Sequence, residues 1–206
     1  MKTIVVYYSL EGNTAYAAEK IAAALGADML RLKPKKAYPS SGFQKFFWGG
    51  KSAVMAEKPK LVPYSFDGAL YERIVFGFPV WAGNVTPPLR TFIRDENLAG
   101  KRFAAFACES GSGAEKAFGK LKAALGIDAF DAELVLIDPK SRPDPANGEK
   151  IRAFCDAGDT KCYAENALNE LDGAAGIRAL DVGERLCAEV DDPEDLARVR
   201  ERISGK

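Results

Sequence analysis

The sequence predicts an α/β fold, a three-layer sandwich around a five-stranded parallel sheet. Three observations predict it. Short apolar runs rich in β-branched and aromatic residues recur along residues 1–140. Amphipathic helical stretches alternate with those runs. Three of the runs end in polar, Gly-rich or Gly/Pro-framed loops that lead into the next helix, as expected at the carboxyl ends of parallel strands.

The elements follow in order. TIVVYY (residues 3–8) is a buried first strand. After SLEGNT comes an Ala-rich helix over 14–25 and a short strand over 27–32. Residues 33–66 form a long irregular excursion rich in Gly, Pro and aromatics, including Tyr38, Phe43, Phe46, Phe47 and Trp48. IVFGF (74–78) is the third strand. A helix over 86–94 follows, with Pro87 in its first turn, where the missing N–H costs little. FAAFA (103–107) is the fourth strand, and Gly126 ends a helix over 114–125. AELVLI (132–137) is the fifth strand, and 147–156 the last helix of this series. Right-handed crossovers between such strands give the doubly wound arrangement.

Composition removes several functions. The 206 residues include no histidine, so Ser–His–Asp and Cys–His catalysis and imidazole metal sites are excluded. Formal net charge is zero, which gives no reason to expect nucleic-acid binding. Four cysteines without C-x-x-C spacing read as reduced thiols. The opening apolar run is too short for a signal h-region or a membrane span, so the expected location is cytoplasmic, with no membrane partner. The zero charge is a sum of unlike parts. Residues 159–206 hold 12 acidic and 7 basic residues, which leaves 17 acidic and 22 basic in 1–158. The expected domains are 1–158 and an acidic extension, 159–206.

Three loops carry the chemistry. Ser9-Leu10-Glu11-Gly12-Asn13-Thr14 offers hydroxyl and amide donors before a helix whose positive N-terminus suits an anion. Pro79-Val80-Trp81-Ala82-Gly83-Asn84 sets a large aromatic in a Gly/Pro-framed loop. Cys108-Glu109-Ser110-Gly111-Ser112-Gly113 is polar and glycine-rich. Taken singly, the first is as well explained by helix capping and Trp81 by core packing. Jointly they suit a planar heterocycle with a phosphate tail. Other phosphate and nucleotide sites are excluded. Ala114 stands where a C-x5-R loop needs Arg, and G-x-x-x-x-G-K-[ST], G-x-G-x-x-G and G-x-S-x-G are absent from these loops.

On YYSLEGNT, FGFPVWAGNVTPPLRTF and FACESGSG, in that order, residues 1 to about 158 resemble a flavodoxin-like FMN-binding protein. FQKFFWGGKSAVMAEKPKL resembles an insertion of the same subgroup. The resemblance implies strand order 2-1-3-4-5 and non-covalent FMN as cofactor. It places Ser9, Gly12, Asn13 and Thr14 at the phosphate, with the Glu11 and Gly12 N–H groups. Trp81 is implied beside the isoalloxazine, with Pro79, Val80, Ala82, Gly83 and Asn84 around its edges. Cys108, Glu109, Ser110 and Gly113 are implied on the pyrimidine side. No catalytic or metal-ligating residue is expected. Glu109 near that edge would disfavour an anionic reduced flavin; as a solvated loop carboxylate it would not.

Three functions stay open at this point: an electron carrier for a redox partner protein, an NAD(P)H-dependent oxidoreductase acting on quinones, and a flavin-free scaffold. Electron-carrying flavodoxins are strongly acidic, whereas 1–158 is slightly basic, which leaves room for the enzyme. Phe46, Phe47 and Trp48 are expected either as a lid near the flavin or as an apolar plug over the sheet. The tail from YAENALNE onward reads as helix, turns, short strands and a Pro193-started helix, and resembles the C-terminal end of a sugar-phosphate nucleotidyltransferase. The Gly-rich nucleotide loop of such an enzyme is absent, so nucleotidyl transfer is not expected. Its acidic cluster, residues 189–195, could pair with the basic first part within the chain or in a homodimer.

Overall fold

In a computed structural model of the chain, the residues described are 2–39 and 58–157. They fall within one compact unit, Met1–Lys161. The expected lid or plug at Phe46, Phe47 and Trp48, and the elements expected beyond residue 158, lie outside the described residues.

Among the described residues the strands and α-helices are β1 (Thr3–Tyr7), α1 (Asn13–Leu25), β2 (Asp28–Arg31), β3 (Arg73–Pro79), α2 (Pro87–Asp95), β4 (Arg102–Glu109), α3 (Ala114–Leu125), β5 (Glu133–Ile137) and α4 (Asn147–Ala157). The five strands form one sheet in the order β2-β1-β3-β4-β5, with every neighbouring pair parallel. β3 and β4 run beyond their apolar stretches, to Pro79 and Glu109, because the ladder continues through Pro79 opposite Cys108. β2 is an exposed edge strand, shorter than its apolar pattern suggests. A 3₁₀ turn at Gly68–Leu70, capped by the Asp67 carboxylate, is not legible from periodicity.

Side-chain alternation splits the core into two layers. Ile4, Val6, Ile74, Phe76 and Phe78 point to one face and pack with Leu89 and Phe92 of α2 and Phe118 and Leu121 of α3. Val5, Tyr7, Val75 and Phe106 point to the other, against Ala17, Ala18 and Ile21 of α1 and Ile151 and Phe154 of α4. Alanines on α1 let that helix approach the sheet closely. The chain passes from β1 to β2 on one side of β1, whereas β3 pairs on its other side, so the strand order reverses at β1. This reversal opens a crevice between the loops after β1 and β3.

Candidate functional site

At that crevice the three loops meet in a cleft of about 270 Å³, bordered by Ser9, Leu10, Glu11, Asn13, Thr14, Pro79, Val80, Trp81, Ala82, Cys108, Glu109, Ser110 and Asp138. Four of the expected residues, Gly12, Gly83, Asn84 and Gly113, stand behind this lining and shape the loops.

The first loop turns on Ser9, whose Oγ accepts from the Gly12 N–H at 3.2 Å. Gly12 has φ 99°, a conformation that side-chain-bearing residues rarely adopt, and it starts α1 without a side-chain cap. The dipole of α1 therefore points at the cleft with its first turn uncapped from within the loop. A Cβ on Gly12 would stand 3.2 Å from Nζ of Lys140, so an ammonium group hovers at this turn. Sequence reasoning had hydroxyls and amides alone there. Lys140 was missed because the turn after β5 carries no phosphate-loop pattern.

Asn13 behaves differently from a simple ligand donor. Its Oδ1 accepts from the N–H groups of Lys140 at 2.9 Å and Ser141 at 3.1 Å, and from the Ser141 hydroxyl at 3.2 Å. Its Nδ2 donates to Asp138 at 3.4 Å. Ser110 Oγ donates to the same Asp138 oxygen at 2.9 Å, and Arg142 pairs with Asp138 at 2.8 Å. Asp138 thus joins the loops after β1, β4 and β5. It sits at a strand's carboxyl end, so the strand-end rule alone could have singled it out.

The second loop is a tight hairpin. Trp81 and Asn84 exchange backbone hydrogen bonds at 3.4 and 3.0 Å, while Ala82 and Gly83 take φ 50° and 64°. Positive φ at both central residues is the type I′ pattern. Asn84 closes it by donating from Nδ2 to the Ala82 carbonyl at 2.8 Å and by accepting from Lys120 Nζ. Gly113 has no side chain because Gly83 lies against it: a Cβ on Gly113 would come within 3.1 Å of the Gly83 Cα. The turn presents Trp81, half-buried, edge-on to Tyr8 and Tyr38 with centroids 5.6 and 5.2 Å away. The joining of Tyr8 and Tyr38 to Trp81 depends on how the stretch after β2 folds back, and no local spacing signals it.

The third loop is tied to the second by the Val80 N–H donating to the Cys108 carbonyl at 2.8 Å. Glu109 Oε2 accepts from the Ala114 N–H at 2.9 Å, so this carboxylate caps α3. That bond favours a structural role for Glu109 over one in tuning a ligand. Burial pushes the Cys108 thiol up to about 12, against an opposing hydrogen bond with Thr14, and a protonated thiol is a poor nucleophile. Among the described residues, no group of three or more Cys, Asp or Glu is placed to hold a metal ion, and no helix is long and apolar enough to cross a membrane.

A doubly wound parallel sheet with a ligand cleft at its switch point defines the class of protein. A family model described as flavodoxin matches residues 2–143. The chain belongs to the flavodoxin family. No curated protein sequence matches it. Among solved structures, a candidate flavoprotein from Bacteroides eggerthii DSM 20697 is 25% identical with a TM-score of 0.60, covering 75% of this chain and 96% of that one. One from Bacteroides uniformis ATCC 8492 is 24% identical with a TM-score of 0.63, covering 75% and 97%. A flavoprotein from Lactobacillus acidophilus NCFM, solved in complex with FMN, is 19% identical with a TM-score of 0.58, covering 68% and 95%.

Proposed function

We propose that this chain binds FMN non-covalently in the cleft and acts as a redox protein, passing electrons to a protein or small-molecule acceptor. One observation carries the reading: an uncapped helix N-terminus, a half-buried tryptophan and a polar loop face one another across a single switch-point cleft. The family supports it, and so does the FMN held by the Lactobacillus acidophilus relative.

The residues fit the group. Ser9 and Thr14 border the cleft at the N-terminus of α1, and Lys140 Nζ lies 3.2 Å from where a Cβ on Gly12 would stand, a donor set suited to a dianionic phosphate. Trp81, Pro79 and Val80 would flank the ring system, and Ser110 and the backbone around Cys108 would meet its polar edge. Bound flavin supplies the electron chemistry. The chain's part is to bind and orient the ring, hold the phosphate end by fixed donors, and exclude water on the tryptophan side.

The test is direct. The full-length chain should purify yellow, release FMN on heating and rebind it stoichiometrically with quenched flavin fluorescence. Trp81→Ala should weaken FMN up to about tenfold, the scale of an aromatic contact. A colourless protein with no quenching in an FMN titration overturns the reading.

A second reading, hydride uptake from a nicotinamide donor for delivery to a quinone, is supported by the cations beside the cleft. Lys120 Nζ donates to Oδ1 of Asn84 in the second loop, and a Cβ on Gly83 would stand 3.2 Å from the Lys116 side chain. Rapid air-free bleaching of the loaded protein by NAD(P)H, followed by recovery with a quinone, separates this enzyme from a carrier.

A further inference from the structure

A second cavity, of about 460 Å³, adjoins the cleft. Ser9 and Leu10 border both. The remaining wall is partly apolar and partly cationic, with Tyr8, Tyr38 and Val62 on one side of its chemistry and Arg31 and Lys33 on the other. Tyr8 and Tyr38 are the rings that meet Trp81 edge-on, so this aromatic cluster stands between the two spaces.

The backbone holds the cavity in shape. Leu32 N–H donates to the Tyr7 carbonyl at 2.8 Å, extending the β1–β2 pairing beyond Arg31. Pro34 and Leu61 form an antiparallel bridge, flanked by Val62 N–H to the Lys33 carbonyl and Lys35 N–H to the Lys60 carbonyl, both 2.8 Å. Arg31 is oriented by a 3.3 Å bond from its guanidinium to the Ser9 carbonyl. Among the described residues, no carboxylate lines the cavity. Two cations and two tyrosines lining one cavity select a ligand with a flat apolar body and one negative group.

We infer that this cavity, walled by Tyr8, Arg31, Lys33 and Tyr38, is a binding site for an aromatic anion of the carboxylate or sulfonate class, placed beside Trp81 of the flavin cleft. The inference names the class of small molecule that the proposed redox site would serve, and so rests on that reading for its purpose. The binding itself does not.

Calorimetric titration of the full-length chain with naphthoate, and with its neutral counterpart naphthamide, tests it. Naphthoate should bind, more weakly as ionic strength rises, and naphthamide should bind about tenfold more weakly. Lys33→Gln should weaken naphthoate about tenfold, leave naphthamide unchanged and leave FMN affinity unchanged. Tyr38→Ala should weaken both aromatic probes. Equal binding of naphthoate and naphthamide, or naphthoate binding untouched by Lys33→Gln, overturns the site. If FMN does not bind while the naphthoate pattern holds, the proposed function fails and this site stands. If FMN binds and the naphthoate pattern is missing, only this site fails.

Discussion

The side-chain oxygen of Asn13 receives the N–H groups of Lys140 and Ser141, at 2.9 and 3.1 Å, and so ties the loop after β1 to the turn after β5. These segments are 127 and 128 residues apart in sequence. The turn that this oxygen holds also brings the Lys140 ammonium over Gly12. Asn13 therefore acts on the cleft by positioning other groups.

Asn13→Ala should cost about 0.5–1.5 kcal/mol of stability, the net worth of hydrogen bonds at an exposed turn. Asn13→Asp keeps the acceptor but sets a carboxylate against Asp138, and should cost at least as much. Urea midpoints measure the loss. Faster amide exchange at Lys140 and Ser141 in the Ala variant is the local signature.

Gly77→Ala should destabilise the chain by about 2–3 kcal/mol. Gly77 pairs with Phe106 across β3 and β4, and a Cβ there would stand 2.1 Å from the ring's Cζ. Phe106 is fully buried, so its ring has nowhere to move. The double variant Gly77→Ala/Phe106→Ala should lose less than the sum of the single losses, because the clash vanishes with the ring. Additive losses would refute the steric account.

Ala82→Gly should stabilise the chain by about 0.5–1 kcal/mol. Ala82 holds φ 50°, which costs an L-residue about 1–2 kcal/mol, while glycine's extra chain entropy takes back about 0.5–1. Thermal unfolding of the variant, with Gly83→Ala as a destabilised counterpart, checks the sign.

Alkaline pH should weaken the fold. Burial pushes Cys108 up to about 12 and Cys155 to about 11, from an ordinary value of 9.0. Below pH 9 both states keep the thiol protonated and stability is unaffected. Above it the unfolded chain loses these protons first, so stability falls as pH rises, by up to about 1.4 kcal/mol per pH unit per thiol, until the folded pKa is reached. Burial also raises the phenols of Tyr8 and Tyr64, which adds to the same trend. Denaturation midpoints between pH 8 and pH 11, and slow alkylation of Cys108 in the native chain, are the measurements; a flat profile contradicts them.

The strands and helices were legible because each carries a local pattern. FAAFA and IVFGF carry no period but are short apolar runs that lead into polar or Gly/Pro-framed loops, which marks buried strands, and the helix at Ala114–Leu125 ends at a glycine. The three loops were legible because strand ends in a parallel sheet are where backbone groups are left open to a ligand. Single positions within them were less so. Glu109 is drawn to the α3 N-terminus rather than left in solvent, and Asn13 is claimed by a turn far along the chain.

The sequence by itself determined the layer architecture, the strand order through its family pattern, and the loops that meet at the switch point. Each of these rests on spacing or on a motif within a few residues. Packing alone settles that Asp138 and Lys140 meet the loop after β1, that Tyr8 and Tyr38 back Trp81, and that Arg31 and Lys33 border a second cavity. Those are contacts between segments far apart in the chain. A side chain's partner across the sheet is set by three-dimensional packing and hydrogen-bond competition, for which local sequence carries no period.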